Sequence, residues 1–423
     1  MSFNQDFQDI MASKGLGTKS VFEIDYRTGI DLIDYHNGSI NKDGSKTLGV
    51  RSGRYMAIVG PSGSSKTTIA LQIANNIVRP IENASFILID KEKSTDKQRI
   101  MNVTDMTTLD FKEKVTHIQK NFYTETLYKL IRNLVRIKKA QFEKLKVTYH
   151  DEVKDKDRLV LPPTVLILDS LAMLFPLDMS GDIDDKDNKD EIDGNAVGMQ
   201  VAKANAGVVR KILDLLDEAN LFMIFINHIS TKIKMNSYEK STKQLNFLGE
   251  NEHIAGGGKV IYLAHYLFKV TAGAKLKLDK DYKVKGNIVW VEFLKSRSAP
   301  AGTSFPLIFL PSTGIHNVLS NFHFLVVQKV LKGGGQGSYL PGYPDYKFTK
   351  SGFLKLYKKD KEFRKIFKTF MKNYLEENVL NVVDDATSSG KKKKKKDKKE
   401  ESDSSTEKTK KSKKDKKRKI LDE

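Results

Sequence analysis

The chain has 423 residues, of which 30% are charged and 39% hydrophobic, with a formal net charge of +20 and no cysteine. That length allows two or three domains, and the missing cysteines exclude disulfides, thiolate metal sites and a cysteine nucleophile. Residues 391–423 carry 17 Lys/Arg against 8 Asp/Glu, or +9, which leaves +11 on the rest.

A body that is basic even without its tail points to a polyanionic partner, nucleic acid first, over a merely solubilising surface. No apolar run approaches the roughly 18–20 residues of a membrane span, so no membrane partner is expected. The opening MSFNQDFQDIMASKG lacks the basic start and apolar centre of a secretory signal. A cytoplasmic protein is the expectation.

Residues 1–50 read as an N-terminal leader and oligomerisation segment. Phe3, Phe7, Ile10 and Met11 share a helical face suited to docking on the same domain or on a neighbouring subunit. Ile30, Leu32 and Ile33 form a short buried element, and a Gly- and Asn-rich stretch of turns follows.

Residues 51–315 form the predicted core, organised around RYMAIVGPSGSSKTTIALQIAN at 54–75. Tyr55 to Val59 reads as a buried strand. A turn of small residues leads into a helix with Ile69, Ala70, Ile73 and Ala74 on one face. Strand, glycine-containing turn and helix N-terminus make a phosphate cradle. Gly60, Pro61, Ser62, Gly63, Ser64, Ser65, Lys66, Thr67 and Thr68 would hold the phosphates. Lys66 would set a point charge on the outer ones, and Thr67 a hydroxyl on Mg²⁺. The usual pattern is G-x-x-x-x-G-K-[ST]. Here Ser65 stands at the second Gly, where a turn that needs positive φ or a close backbone approach favours glycine.

ASFILID at 84–90 is a second buried strand, followed by Lys91 and Glu92. Ligands of open parallel sheets sit outside the carboxyl ends of the strands. A carboxylate there can polarise an attacking water, with Glu92 the first candidate and Asp90 its rival. Residues 122–146 predict a helix with Phe122, Leu127, Leu130, Ile131, Leu134 and Ile137 inward, and Lys129, Arg132, Arg136, Lys138 and Lys139 on the opposite, solvated face. Residues 146–160 read as a loop insertion.

TVLILDS at 164–170 is a third strand ending in Asp169, four apolar residues and an acid, positioned to hold Mg²⁺ through water. The acidic stretch 178–198 reads as a flexible loop without Ca²⁺-loop spacing. The helix after it turns Val201, Val208, Val209, Ile212, Leu213 and Leu216 inward. LFMIFIN at 221–227 is a fourth strand. His228, just beyond it, is placed to sense a γ-phosphate and pass its state into the loop 229–258. Strands are expected at 259–271 and 287–295. Lys295 and Arg297, at the end of the latter, are placed to reach the nucleotide of an adjacent subunit.

Residues 316–385 predict a small helical or α+β domain with a basic surface, and residues 386–423 a disordered basic tail. Such a lysine run serves as a non-specific DNA tether or, in a eukaryote, as a nuclear signal.

In order and spacing, GPSGSSKTT at 60–68, IDKE at 89–92, LILDSLAML at 166–174, FINHISTKI at 225–233, IAGGGKVIYLAHY at 254–266 and FLKSR at 293–297 resemble the RecA family of recombinases, specifically its phage members of the UvsX type, over roughly residues 25–315. The resemblance implies an α/β fold, a RecA-like P-loop ATPase core with a mostly parallel twisted sheet. It implies ATP and Mg²⁺ as cofactors. Gly60 to Thr68 would hold the triphosphate, Glu92 would activate water, and Asp169 would position Mg²⁺. His228 stands where the family usually has Gln. Lys295 and Arg297 match the pair that reaches ATP across a filament interface, and 178–198 and 229–258 match the two DNA-binding loops. The adenine contact falls near Gln98 or Arg99. The implied partners are single- and double-stranded DNA, further copies of the chain in a helical filament, and single-strand-binding and mediator proteins. For a phage protein the setting is the bacterial cytoplasm, on the nucleoid. The tail is basic where the family's are often acidic, so it should recruit DNA. Two other readings stay open: a hexameric DNA helicase with the same core, told apart by rings in place of filaments, and a mediator that binds ATP without DNA-stimulated turnover.

Overall fold

The computed structural model describes Met11 and residues 24–382, apart from 152–153, 180–193, 232–242, 255–257, 278–281, 297–299 and 335–336. The other residues expected in the leader, and the tail, lie outside the described residues. So do Arg297, most of the first expected DNA-binding loop and just under half of the second, in whose described part Ile229–Thr231 and Glu252–Ile254 are strand, not loop.

Four apolar segments build the middle of a ten-stranded sheet. They are β1 (Tyr55–Gly60), β2 (Ser85–Asp90), β4 (Thr164–Asp169) and β5 (Leu221–Thr231), with β3 (Val115–Ile118) at one edge. All six residues of β1 and of β4 are buried. Strands covered on both faces read as unbroken apolar runs rather than alternating ones, which is why these four are visible in the sequence. A short pair, β6 (Glu252–Ile254), runs antiparallel along the end of β5. Beyond β1 come β7 (Tyr266–Lys275), β8 (Asn287–Ser296), β9 (Ser304–Leu310) and β10 (Gly314–Ile315). The spatial order is β10-β9-β8-β7-β1-β5-β4-β2-β3. From β7 to β3 all neighbours are parallel, and from β7 to β10 all are antiparallel.

Helices cover the sheet. Before β1 lies α1 (Asp31–His36), after it α2 (Lys66–Val78), and beyond β2 α3 (Lys97–Thr104). Two longer helices follow, α4 (Thr124–Ala140) and α5 (Gly194–Glu218). The predicted inward face of α2, Ile69, Ala70, Ile73 and Ala74, is buried. On α5, Val201, Val209, Ile212 and Leu216 are buried, with Val208 and Leu213 half-buried beside them.

Three expectations need correction. Residues 146–160 are not a loop: Val147–Asp151 and Lys156–Val160 pair as an antiparallel hairpin, whose Tyr149 ring lies 5.3 Å from that of Tyr26. Its alternation of inward and outward residues is masked by charge on the outer face. The strand expected over 259–271 begins only at Tyr266, after a helical turn over Gly258–Leu263. On α4, Ile137 is 47% exposed, whereas Lys138, expected in solvent, is 6% exposed. The Lys138 ammonium donates to the Pro162 carbonyl at 2.6 Å and to Thr164 Oγ1 at 3.1 Å.

After β10, α6 (Asn317–Val327) packs on β9, followed by α7 (Phe353–Lys359) and α8 (Lys361–Asn378). Asp360 caps α8 by accepting from Phe363 N at 2.9 Å, and Phe363, Phe367, Met371 and Leu375 recur every four residues as its buried seam. Phe322 of α6 stacks on Phe353 with ring centroids 3.9 Å apart. Residues on both sides of position 315 share one hydrophobic core. Among the described residues no helix is long and apolar enough to cross a membrane.

Candidate functional site

The strand register brings four chain segments to one rim of the sheet. Gly60 pairs with His228, Asp169 with Ile226, and Asp90 with Asp169. The carboxyl ends of β1, β4 and β2 therefore lie close together along β5, which runs on past them to Thr231, and the residues at this rim meet.

At the end of β1 the chain turns sharply. A Cβ on Gly60 would lie 2.1 Å from the Val270 carbonyl, so only glycine fits that close approach. Gly63 and Ser65 take positive φ, 72° and 71°, before α2 begins at Lys66. The conformation that favours glycine is thus present at Ser65, on an L-residue that visits it only at a cost. Lys66, 5% exposed, donates from Nζ to the Pro61 carbonyl at 2.7 Å, and Ser64 Oγ donates to the same oxygen at 2.8 Å. Burial holds the Lys66 ammonium below the usual lysine range, against the attraction of Asp169 and Glu92.

Thr67 Oγ1 donates to Asp169 Oδ2 at 2.6 Å. Burial pushes the Asp169 carboxyl up to about 6, against the Thr67 hydrogen bond, with Glu92 and Asp90 adding to the rise. The Asp169–Ser170 peptide is cis. A hydroxyl and a carboxylate at this separation, at the mouth of a backbone cradle, form a hard oxygen donor set suited to Mg²⁺ beside phosphate.

Asp90 and Glu92 play different parts. Asp90 is fully buried and accepts from the backbone N–H groups of Ser94 and Thr95, at 3.2 and 3.1 Å, and from Gln119 Nε2 at 3.1 Å. Its oxygens hold the loop together. Glu92, 27% exposed, faces the site, and its Oε1 lies 2.8 Å from His228 Nε2.

Lys295 does not join this constellation. β8 runs antiparallel to β7, with Ser296 paired to Tyr266, and Tyr266 paired in turn to Met56. Lys295 itself pairs with Leu267, and Leu267 with Ala57, so the register sets Lys295 level with the first half of β1, three residues or about 10 Å of strand short of Gly60. Its Nζ donates to the Tyr262 carbonyl. Arg297 lies outside the described residues.

Sequence reasoning missed one side of the site. The turn between β9 and β10 closes over α2: Gln72 Nε2 donates to the Thr313 carbonyl at 3.1 Å, and Ile315 N–H to Gln72 Oε1 at 2.7 Å. Gly314, at φ 80°, sits so close that a Cβ would be 2.7 Å from Gln72 Oε1. Arg99 Nη2 donates to Thr68 Oγ1 at 3.2 Å, and Nη1 to the Pro311 carbonyl. Arg99 and this turn thus frame the far end of the phosphate loop. Arg99 stands at the expected adenine contact; for the turn itself the one signal in the sequence is Gly314.

No family profile matches this chain. Curated relatives do. The RecA protein of Wolinella succinogenes is 25% identical over 290 residues, 67% of this chain and 65% of the relative. That of Thermotoga neapolitana is 26% identical over 294 residues, 69% of this chain and 68% of the relative. The RecA protein of Limosilactobacillus reuteri is 24% identical over 293 residues. The chain therefore spans about two thirds of the length of the curated relatives it matches.

Proposed function

We propose that this chain is a member of the RecA family, on its likeness to RecA proteins at 24–26% identity, and that it is a DNA-dependent ATPase of the phage UvsX type, which assembles on single-stranded DNA as a filament and promotes homologous pairing and strand exchange. The observation that carries the reading is the meeting of two pairs on one rim, Thr67 with Asp169 and His228 with Glu92.

In this reading the triphosphate of ATP lies along Gly60 to Thr68, and Lys66 leaves the Pro61 carbonyl for the outer phosphates. Thr67 and Asp169 would hold Mg²⁺, which would offset phosphate charge. Glu92 takes the proton of the attacking water. To do so it must exchange His228 for that water, which frees an imidazole nitrogen for the γ-phosphate. β5 runs unbroken from Leu221 to Thr231, so displacement of His228 is carried along the strand into the chain that follows Thr231. Arg99 and the β9–β10 turn flank the base.

Lys295, too far from its own phosphate loop, acts on the nucleotide of the next subunit together with Arg297. A mixture of equal parts Lys295→Ala and Lys66→Ala should then recover about a quarter of wild-type turnover, since one random junction in four pairs both intact halves. Two inactive proteins that stay inactive when mixed would oppose action in trans.

DNA would run past the loops 178–198 and 229–258. Met173, Phe175 and Leu177 on one flank of the first loop, and Met199 on the other, are 40–72% exposed. An exposed aromatic among apolar neighbours is a stacking platform for bases, with phosphates held by the basic surface. The decisive experiment is joint-molecule formation between homologous single- and double-stranded DNA with ATP at low salt. Product is expected. Its absence, with DNA binding intact, would overturn the strand-exchange reading.

A further inference from the structure

On the phosphate side the sheet loses a strand. β1 leaves it at Gly60, which is paired with His228, while the strands on either side of it run on, β5 to Thr231 and β7 to Lys275. β6 pairs with the part of β5 beyond that point: Ile229 with Ile254, Ser230 with His253 and Thr231 with Glu252. Backbone bonds thus fix one side of β6. The tie on its other side is an ion pair. Lys269 Nζ of β7 donates to Glu252 Oε2 at 2.6 Å, and the two side chains are only 13% and 24% exposed. A link from β7 to β6 sets β6 on the β7 side of β5, in the lane that β1 has left.

The same Glu252 oxygen accepts from Gly249 N–H at 2.7 Å, and Gln244 Oε1 accepts from Ile254 N–H at 2.8 Å. Lys269 therefore anchors a cross-tied stretch of chain, not a lone side chain. It had a nearer choice. The register sets it opposite Glu292 of β8, a cross-strand partner of the ordinary kind, yet its bond goes to β6.

Lys269 also stands where the phosphate loop is felt. It pairs with Val59, the residue before Gly60, and the carbonyl of the next residue, Val270, lies so close to Gly60 that a Cβ there would be 2.1 Å from it. Any shift of the turn at Gly60 meets β7 with no side chain between to absorb it, and packed interiors pass such shifts on.

We propose that Glu252 and Lys269 are positioning residues that couple the phosphate loop to DNA binding by the segment 229–258. β5 brings the displacement of His228 to one side of β6, and Lys269 brings that of the Gly60 turn to the other. Their role rests on the DNA-dependent reading of this chain and adds to it a second route, through β7. Neither residue is assigned a contact with nucleotide or DNA.

The test reads the coupling as a ratio. The affinity of the full chain for a fluorescein-labelled oligodeoxythymidylate is measured by fluorescence anisotropy with and without a non-hydrolysable ATP analogue, Mg²⁺ being present throughout. Wild type should bind about tenfold more tightly with the analogue, within the usual span for two coupled sites. Glu252→Gln and Lys269→Met should each bring the ratio to within about twofold of one, and the double variant no further, because two residues that act as one pair are not additive. Lys269→Arg, which keeps the cation, should keep the ratio. A change of charge near the DNA moves both affinities alike, so only lost coupling moves their ratio. A melting curve on each variant checks folding, and each single variant is a test by itself should the other melt below the assay temperature. Neutralised variants that keep the wild-type ratio, losses that add in the double variant, or a ratio lost in Lys269→Arg as well would each overturn the proposal. A wild-type ratio of one would instead overturn the DNA-dependent reading, and the role of this pair with it.

Discussion

The two rims of the central sheet are both lined with buried polar side chains, but those side chains are satisfied in different ways. At the rim where the strands begin, partners are fixed. Asn220, 1% exposed, accepts from Ser52 Oγ at 2.7 Å and donates to the Leu161 carbonyl at 2.6 Å and to the Tyr26 hydroxyl at 2.7 Å. Lys138 is held by a carbonyl and a hydroxyl, and Arg51 by Asp25 through two bonds of 2.9 and 3.2 Å. At the rim where the strands end, Lys66 rests on its own loop, Thr67 on Asp169, and His228 on Glu92. Each of these partners is a group that a phosphate, a metal ion or a water can replace. Burial of polar atoms alone does not separate structure from site. The separation lies in whether the bond can be exchanged for a ligand without unfolding the surroundings.

Mutations at the two rims should therefore fail in opposite ways. The largest effect is expected from Lys66→Ala. It removes a cation aimed at developing charge, and the loss of one such contact commonly lowers turnover by about 10²–10³-fold. Thermal stability should hardly move, because Lys66 bonds only the carbonyl of a loop that Ser64 also holds. A steady-state ATPase assay beside a melting curve checks both halves. Undiminished hydrolysis would remove the phosphate assignment.

Asn220→Ala should do the reverse. It leaves the Leu161 carbonyl and the Ser52 hydroxyl without a partner in a dry interior, for a loss of about 2–4 kcal/mol in denaturant unfolding. Below the lowered transition, turnover per folded molecule should match wild type. A fall in turnover at full folding would show that the two rims are coupled.

Lys138 offers a titration of the same contrast. Burial pushes its ammonium down to about 7, below the 10.4 or so of a free lysine. Between those values the unfolded chain holds a proton that the folded chain does not. Unfolding free energy should therefore rise with pH, at up to about 1.4 kcal/mol per unit for one proton. Below pH 7 both states carry the proton and the contribution is flat. Lys138→Met should flatten the rise seen in wild type. Identical pH profiles for the two proteins would mean that the ammonium stays charged when buried.

How far the sequence foretold this arrangement follows from the same physics. β1, β2, β4 and β5 are apolar on both faces, so their runs and terminal residues were legible, and with them Gly60, Glu92, Asp169 and His228. Lys138 was not, because a lysine on a helix face reads as solvated unless a carbonyl such as that of Pro162 waits for it, and nothing local announces that. The hairpin 147–160 hid behind charged outward residues. The bond of Lys269 to Glu252 joins β7 to β6, which only the tertiary fold brings side by side. Arg99 was near the expected base contact, but its partner Pro311 is 212 positions away in the chain.

The smallest effect isolates backbone strain. Asn220 and Ser65 both have positive φ, 54° and 71°. Asparagine visits that region readily, and here its side chain is also spent on fixed bonds. Serine lacks the first advantage, yet the loop between Gly60 and α2 requires the conformation at position 65. Ser65→Gly should therefore stabilise the fold by about 1 kcal/mol, whereas Asn220→Gly should lose nearly all that Asn220→Ala loses, since the lost bonds outweigh the relieved φ. If the Ser65 strain also opposes closure of the loop on phosphate, Ser65→Gly will bind ATP more tightly as well, by up to about fivefold for that same energy. A variant that is more stable but binds ATP more weakly would assign the Ser65 hydroxyl a direct contact with the nucleotide.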